Sequence, residues 1–107
     1  MYKIMVYIPV EHLEPVKQAM FAQGAGQIGN YKCCCWQVLG QGQFLPLANS
    51  QPTLGQPGTL ETVAEYLVEM VCEDFCLKAV IRALIEAHPY EEPAYSVYRL
   101  ETVPLAD

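Results

Sequence analysis

"GAGQIGNYKCCCWQ", residues 24–37, is the stretch on which the fold turns. Gly24, Gly26 and Gly29 carry the G-x-G-x-x-G spacing of a dinucleotide-binding loop. Such a loop works only when the glycines follow a strand and open a helix, so that helix N-terminal amides face a pyrophosphate. Here the order is reversed. Upstream, residues 11–23 place Leu13, Val16, Ala19 and Met20 or Phe21 at helical spacing, with Pro15 in the first turn where its missing N–H costs nothing. Downstream, residues 31–40 turn β-like, rich in aromatic, Cys and Val side chains. The helix therefore presents its negative end to the glycines, which repels phosphate. The glycines read instead as turn formers: Gly24 as a left-handed helix cap, Gly26 and Gly29 as positive-φ or close-approach positions, with Asn30 able to share the left-handed region.

Working outward from this helix-to-strand turn, the other elements fall into place. Residues 2–8, "YKIMVYI", alternate with Tyr2, Ile4, Val6 and Ile8 on one face, which predicts a first strand ended by Pro9. Residues 41–59 are crowded with Gly, Pro, Asn and Ser and read as a long loop of the kind that is commonly functional. Residues 61–72, "ETVAEYLVEMVC", alternate again as a long strand. Asp74 is placed to cap a second helix whose face carries Leu77, Val80, Ile81, Leu84, Ile85 and His88, and Pro89 ends it. "PAYSVYRLETV", residues 93–103, supplies the last strand. The order β-α-β-β-α-β predicts an α+β, ferredoxin-like sandwich, one antiparallel sheet with both helices on one face. We expect residues 1–107 to form one domain.

Composition narrows the function. With 52% hydrophobic and 17% charged residues, the chain has apolar surface to spare, which favours an oligomer. Its net charge of −6 argues against nucleic acid and anionic lipid as ligands. No run approaches the ~20 apolar residues that span a bilayer. The apolar start is broken by Pro9 and Glu11, too early for a secretory signal core. Five cysteines, three of them adjacent, make a poor disulfide framework, so reduced thiols in a cytoplasm are expected.

Two strings bear candidate chemistry. Cys33, Cys34 and Cys35 lie in the expected second strand, Cys33 and Cys35 on one face and Cys34 on the other. Adjacent cysteines do not give the spaced pairs that zinc prefers, and packing is the favoured reading over metal binding. A nucleophilic Cys would need His12 or His88 as its base, and neither spacing argues for a dyad. "HPYEEPAYSVYRL", residues 88–100, sets a tyrosine and two glutamates between two prolines, a segment stiff before it binds anything. His88, Glu91 and Glu92 could offer N and O ligands to a divalent cation, or the prolines could simply shape the turn.

Together, "GAGQIGNYKCCCW", "GQGQF" and "HPYEEPAYSVYRL" resemble the YqfO-like, or NIF-three-like, dinuclear-metal-centre family. The likeness is to the PII-like, CutA-like insert domain of its longer members, here read as standing alone, and it covers nearly the whole chain. It implies the same β-α-β-β-α-β order, a homotrimer with ligands between subunits, and a mobile interaction loop at 41–59. It also implies that the two-metal site of the longer members, built in the halves flanking the insert, is not made by these residues. By the resemblance, Gly24, Gly26, Gly29, Asn30 and Tyr31 pair with His88, Tyr90, Glu91 and Glu92 as the ligand-binding motif, and Cys34 is the motif's own cysteine. Family members tend to have Asp where this chain has Lys32 and Ser96, and Cys33 and Cys35 are peculiar to it.

The resulting expectation is a small, oligomeric, cytoplasmic binding or regulatory module without a catalytic site, whose partner is itself and a small molecule or a protein. The alternative is a metal-binding protein using His88, Glu91 and Glu92, or the cysteines with Cys34 foremost, with a divalent ion as its cofactor.

Overall fold

The computed structural model describes residues 1–52 and 55–106. Strand β1 runs Tyr2–Pro9, helix α1 Leu13–Ala22, β2 Trp36–Phe44, β3 Glu61–Cys72, helix α2 Leu77–Ala87 and β4 Tyr95–Arg99. A 3-10 turn leads into each helix, Val10–His12 before α1 and Asp74–Cys76 before α2. The strands form one sheet in the order β2-β3-β1-β4, antiparallel throughout. This is the α+β ferredoxin-like sandwich that the periodicity predicts.

Strand alternation sorts the sheet into two unlike faces. Ile4, Val6 and Ile8 of β1 and Val68, Met70 and Cys72 of β3 point to the helix side and are fully buried. They meet Val16 and Met20 of α1 and Val80 and Leu84 of α2 in a single core. Met5, Tyr7, Trp36, Val38, Leu67, Val71 and Tyr98 fall on the other face by register, and no helix among the described residues covers it. Trp36 is 58% exposed there and Val38 45%.

The C-terminus of α1 shows why the glycine string is a turn. Gly24 N–H donates to Phe21 O at 3.0 Å and Ala25 N–H to Met20 O at 3.3 Å, the paired bonds of a Schellman cap. Ala25 is buried in the core beside Met20. Ile28 and Tyr31 then exchange backbone hydrogen bonds of 2.9 Å around Gly29 and Asn30, and Gly29 takes the positive φ. The left-handed non-glycine residue here is Cys33, at φ 57°, and not Asn30.

Three expectations are corrected. Cys33, Cys34 and Cys35 do not lie in a strand, because Cys34 N–H is drawn to Gly26 O at 2.7 Å and sheet pairing starts only at Trp36 opposite Glu69. Gln41 to Phe44 are not loop but strand, paired to Ala64 through Glu61 of β3. The loop is thereby shortened at its N-terminal end, and Thr53 and Leu54 of the expected 41–59 segment lie outside the described residues. Finally, Asp74 makes no side-chain cap, and its carboxylate stands 3.7 Å from Arg99 Nη1.

The extension of β2 has a consequence for shape. Glu65 is the last β3 residue paired with β1, so Glu61–Ala64 and their β2 partners run on past β1 as a two-stranded arm. The molecule measures 58 × 25 × 24 Å, and its radius of gyration of 15.7 Å exceeds the roughly 13 Å of a compact chain this long. Among the described residues no helix is long and apolar enough to cross a membrane.

Candidate functional site

Where α2 ends, the residue before Pro89 must leave the helix, and His88 adopts φ −73°, ψ 138°. The turn folds back against β1 and the imidazole is buried. His88 Nε2 lies 2.7 Å from Tyr7 O, and Tyr90 N–H donates to His88 Nδ1 at 3.2 Å. One nitrogen therefore carries the proton and donates while the other accepts, which fixes the neutral tautomer. Burial holds the imidazole below its ordinary value, with nearby His12 acting in the same direction and the Tyr7 carbonyl opposing.

The turn roofs a cleft of about 300 Å³ lined by Tyr7, Phe44, Glu65, Tyr90, Glu91 and Glu92, among others. Tyr90 stacks obliquely on Phe44, centroids 6.0 Å apart and planes at 54°, and on His88 at 5.1 Å. Its hydroxyl is buried and has no hydrogen-bond partner among the described residues. Burial raises the Tyr90 phenol, and the charges of Glu65 and Glu11 raise it further. Burial also raises the Glu65 carboxyl. Glu91 accepts the Gln51 N–H at 2.8 Å, tying the 45–60 loop to the turn. A buried hydroxyl without a partner beside a half-buried carboxyl is an unsatisfied polar surface, which interiors normally avoid.

The other half of the motif lies elsewhere. Gly26 N–H donates to Val71 O at 2.7 Å, and Val71 pairs with Lys3 of β1, whereas His88 binds at Tyr7. Four residues of strand, about 13 Å, separate the two anchor points. Within one chain Gly24, Gly26, Gly29, Asn30 and Tyr31 therefore do not join His88, Tyr90, Glu91 and Glu92. Their surroundings are a second, shallower hollow of about 230 Å³ bordered by Ile28, Cys34, Cys35, Trp36 and the Lys3–Glu69 ion pair of 3.2 Å.

The proposed metal ligands do not converge. Both ring nitrogens of His88 are engaged by backbone, Glu91 is held by Gln51, and Cys34 belongs to the opposite end of the sheet. Among the described residues no group of three or more His, Cys, Asp or Glu side chains is placed to hold a metal ion. All five cysteines are free thiols. Cys72 and Cys76 are core residues, and burial, reinforced by Cys76, pushes the Cys72 thiol up to about 11. Tyr7, Phe44 and Glu65 are the cleft residues that the sequence reading missed, since each comes from a different strand. Glu65 gave no distinct signal, being one of three glutamates, with Glu61 and Glu69, spaced four apart along β3.

No family model matches the chain. It is 44% identical over 102 residues to the "GTP cyclohydrolase 1 type 2 homolog" of Mycobacterium leprae, covering 95% of this chain and 26% of that protein. The protein of the same name from Bacillus subtilis is likewise 44% identical over 102 residues, covering 95% and 27%. The chain thus spans about a quarter of the length of the curated relatives it matches. Among solved structures, a Bacillus cereus protein related to NIF3 superposes with a TM-score of 0.80 at 40% identity, over 94% of this chain and 26% of that one. CutA of Archaeoglobus fulgidus gives 0.65 at 14% identity over 98% and 89%, and Bacillus subtilis GlnK 0.58 at 14% over 92% and 83%, likenesses of fold alone. The chain is thus homologous to one segment, about a quarter, of longer proteins of the NIF-three-like, or YqfO-like, kind, and it has the CutA-like and PII-like fold.

Proposed function

We propose that the chain is a small, non-enzymatic binding module that self-associates, as a homotrimer, and holds a ligand in the cleft beneath the 88–93 turn. The observation that carries this reading is the buried, unpartnered Tyr90 hydroxyl at a cleft walled by aromatic rings and carboxylates. Native interiors leave few such groups unsatisfied, and sites of this kind are where convergent polar groups await a partner. Self-association is supported by the uncovered apolar sheet face and by the unpaired outer edges of β2 and β4. Cytoplasmic residence belongs to the same reading and is supported by the five free thiols. In a trimer, the glycine-rich turn of one subunit and the 88–93 turn of its neighbour would be free to approach, which a single chain does not allow.

Native mass spectrometry of the purified chain tests both parts together. The expected spectrum is a trimer retaining a small molecule, with a smaller liganded fraction in Tyr90→Phe while the trimer remains. A monomer throughout the micromolar range would overturn the assembly, and an unliganded trimer that takes up nothing from a metabolite extract would overturn the cleft.

A further inference from the structure

We infer that the cleft beneath the 88–93 turn takes a small organic cation, a protonated primary amine carrying an apolar body. This rests on the reading of the cleft as a ligand site and adds the chemical class of the ligand. Its aromatic walls are Tyr7, Phe44 and Tyr90, and its charged groups are Glu65, Glu91 and Glu92; among the described residues no Lys, Arg or His lines it. A phosphate or carboxylate placed there would face three carboxylates and no counter-charge. An ammonium group would meet carboxylates and ring faces, both of which attract it.

The backbone opposite leaves room for Glu65 at this place. A Cβ built on Gly42 of β2 would fall 1.9 Å from Glu65 Oε1, so the carboxyl occupies space that only a glycine leaves. Among the described residues, the Lys3, Lys17 and Arg99 ion pairs are made to Glu69, Glu14 and Asp74, and none reaches the cleft carboxylates. The raised carboxyl of Glu65 is what burial without a facing cation produces. The Tyr90 hydroxyl oxygen adds a further acceptor for an ammonium N–H. A volume of about 300 Å³ suits a small molecule, at the lower end of ligand pockets.

The test titrates the full chain with benzylamine, phenethylamine and cyclohexylamine near neutral pH, following the side-chain NMR signals of Tyr90 and Phe44. Benzyl alcohol and benzoate serve as neutral and anionic isosteres. We expect saturable shifts with the amines, affinity about tenfold or more above that for benzyl alcohol, and no binding of benzoate. Glu65→Gln should weaken amine binding about tenfold, and Glu69→Gln, which removes the partner of Lys3 outside the cleft, should not. Tyr90→Phe should weaken it by a smaller factor. Benzyl alcohol or benzoate binding as tightly as the amines would overturn the cation and leave the cleft a ligand site. Amines binding equally well to Glu65→Gln would overturn the placement, and no shift at Tyr90 with any probe would overturn both the cation and the site.

Discussion

His88 holds the 88–93 turn to β1 only as a neutral imidazole, because Nδ1 must accept from Tyr90 N–H while Nε2–H donates to Tyr7 O. A second proton would remove the acceptor and bury a charge. The folded state therefore binds this proton more weakly than the unfolded chain, as the downward shift caused by burial states. The sign follows from linkage: the contribution is complete above the ordinary histidine value of about 6.5 and is lost as pH falls below it, with a limiting slope near 1.4 kcal/mol per pH unit for one proton. We expect the urea midpoint to fall between about pH 7.5 and pH 5, and the fall to flatten in His88→Gln, whose amide can both donate and accept. His12→Gln, at an exposed position and only a minor influence on His88, should change the slope far less than His88→Gln does. An unchanged slope in His88→Gln would show that other groups govern acid stability. Glu65 acts in the opposite sense and at lower pH, since a raised carboxyl destabilises the fold as it ionises.

At the scale of elements, the connection from α1 to β2 depends on a glycine that is pinned on both sides. Gly26 has φ 78°, donates to Val71 O and accepts from Cys34 N–H, each at 2.7 Å. An added Cβ would lie 2.8 Å from Cys34 O and from Phe21 Cε1. Gly26→Ala should therefore cost about 2–4 kcal/mol, the left-handed penalty plus overpacking against backbone. Gly29→Ala, at φ 55° with nothing within 4 Å, should cost only about 1–2 kcal/mol. Equal losses of urea stability at the two positions would refute the close-approach role. This contrast also shows what the sequence could and could not disclose. A need for glycine at 24, 26 and 29 was readable because a helix had to end there, but which of them touches backbone depends on how Cys34 folds back over the turn and on the Val71 carbonyl of β3. Alternating runs at 2–8 and 61–72 disclosed β1 and β3 because one face of each is buried. β2 was misplaced because Gly40, Gln41, Gly42 and Gln43 are poor strand formers; pairing with β3 overrides that preference, and Gly42 leaves the space in which the Glu65 carboxyl lies. The 88–93 half of the cleft showed in its two prolines, whereas Tyr7, Phe44 and Glu65 are brought to it only by sheet register.

For the whole molecule, the sheet poses the remaining physical question, which is what covers its second face. An antiparallel sheet tolerates one solvated face when that face is polar. Here Met5, Val38, Leu67 and Val71 share it with Trp36, Tyr7 and Tyr98, and Glu69 is already paired with Lys3. Under the proposed self-association, additional copies of the chain would cover this face, and the β2–β3 arm that runs on past β1 would offer them a further surface. Val38 is a position that tests this, because it is partly open in the single chain and lies on the uncovered face. It is 45% exposed in the single chain and stands directly opposite Leu67, so Val38→Lys should change the stability of the isolated fold by no more than about 0.5 kcal/mol. At an interface between copies the same substitution buries an unpaired ammonium from each subunit, a penalty of several kcal/mol apiece that a small assembly does not survive. Light scattering and sedimentation at micromolar concentration should then report a monomer with an unchanged circular dichroism spectrum. If Val38→Lys still assembles like the parent chain, the open face is not where the subunits meet, and the outer edges of β2 and β4 become the surfaces through which association must occur.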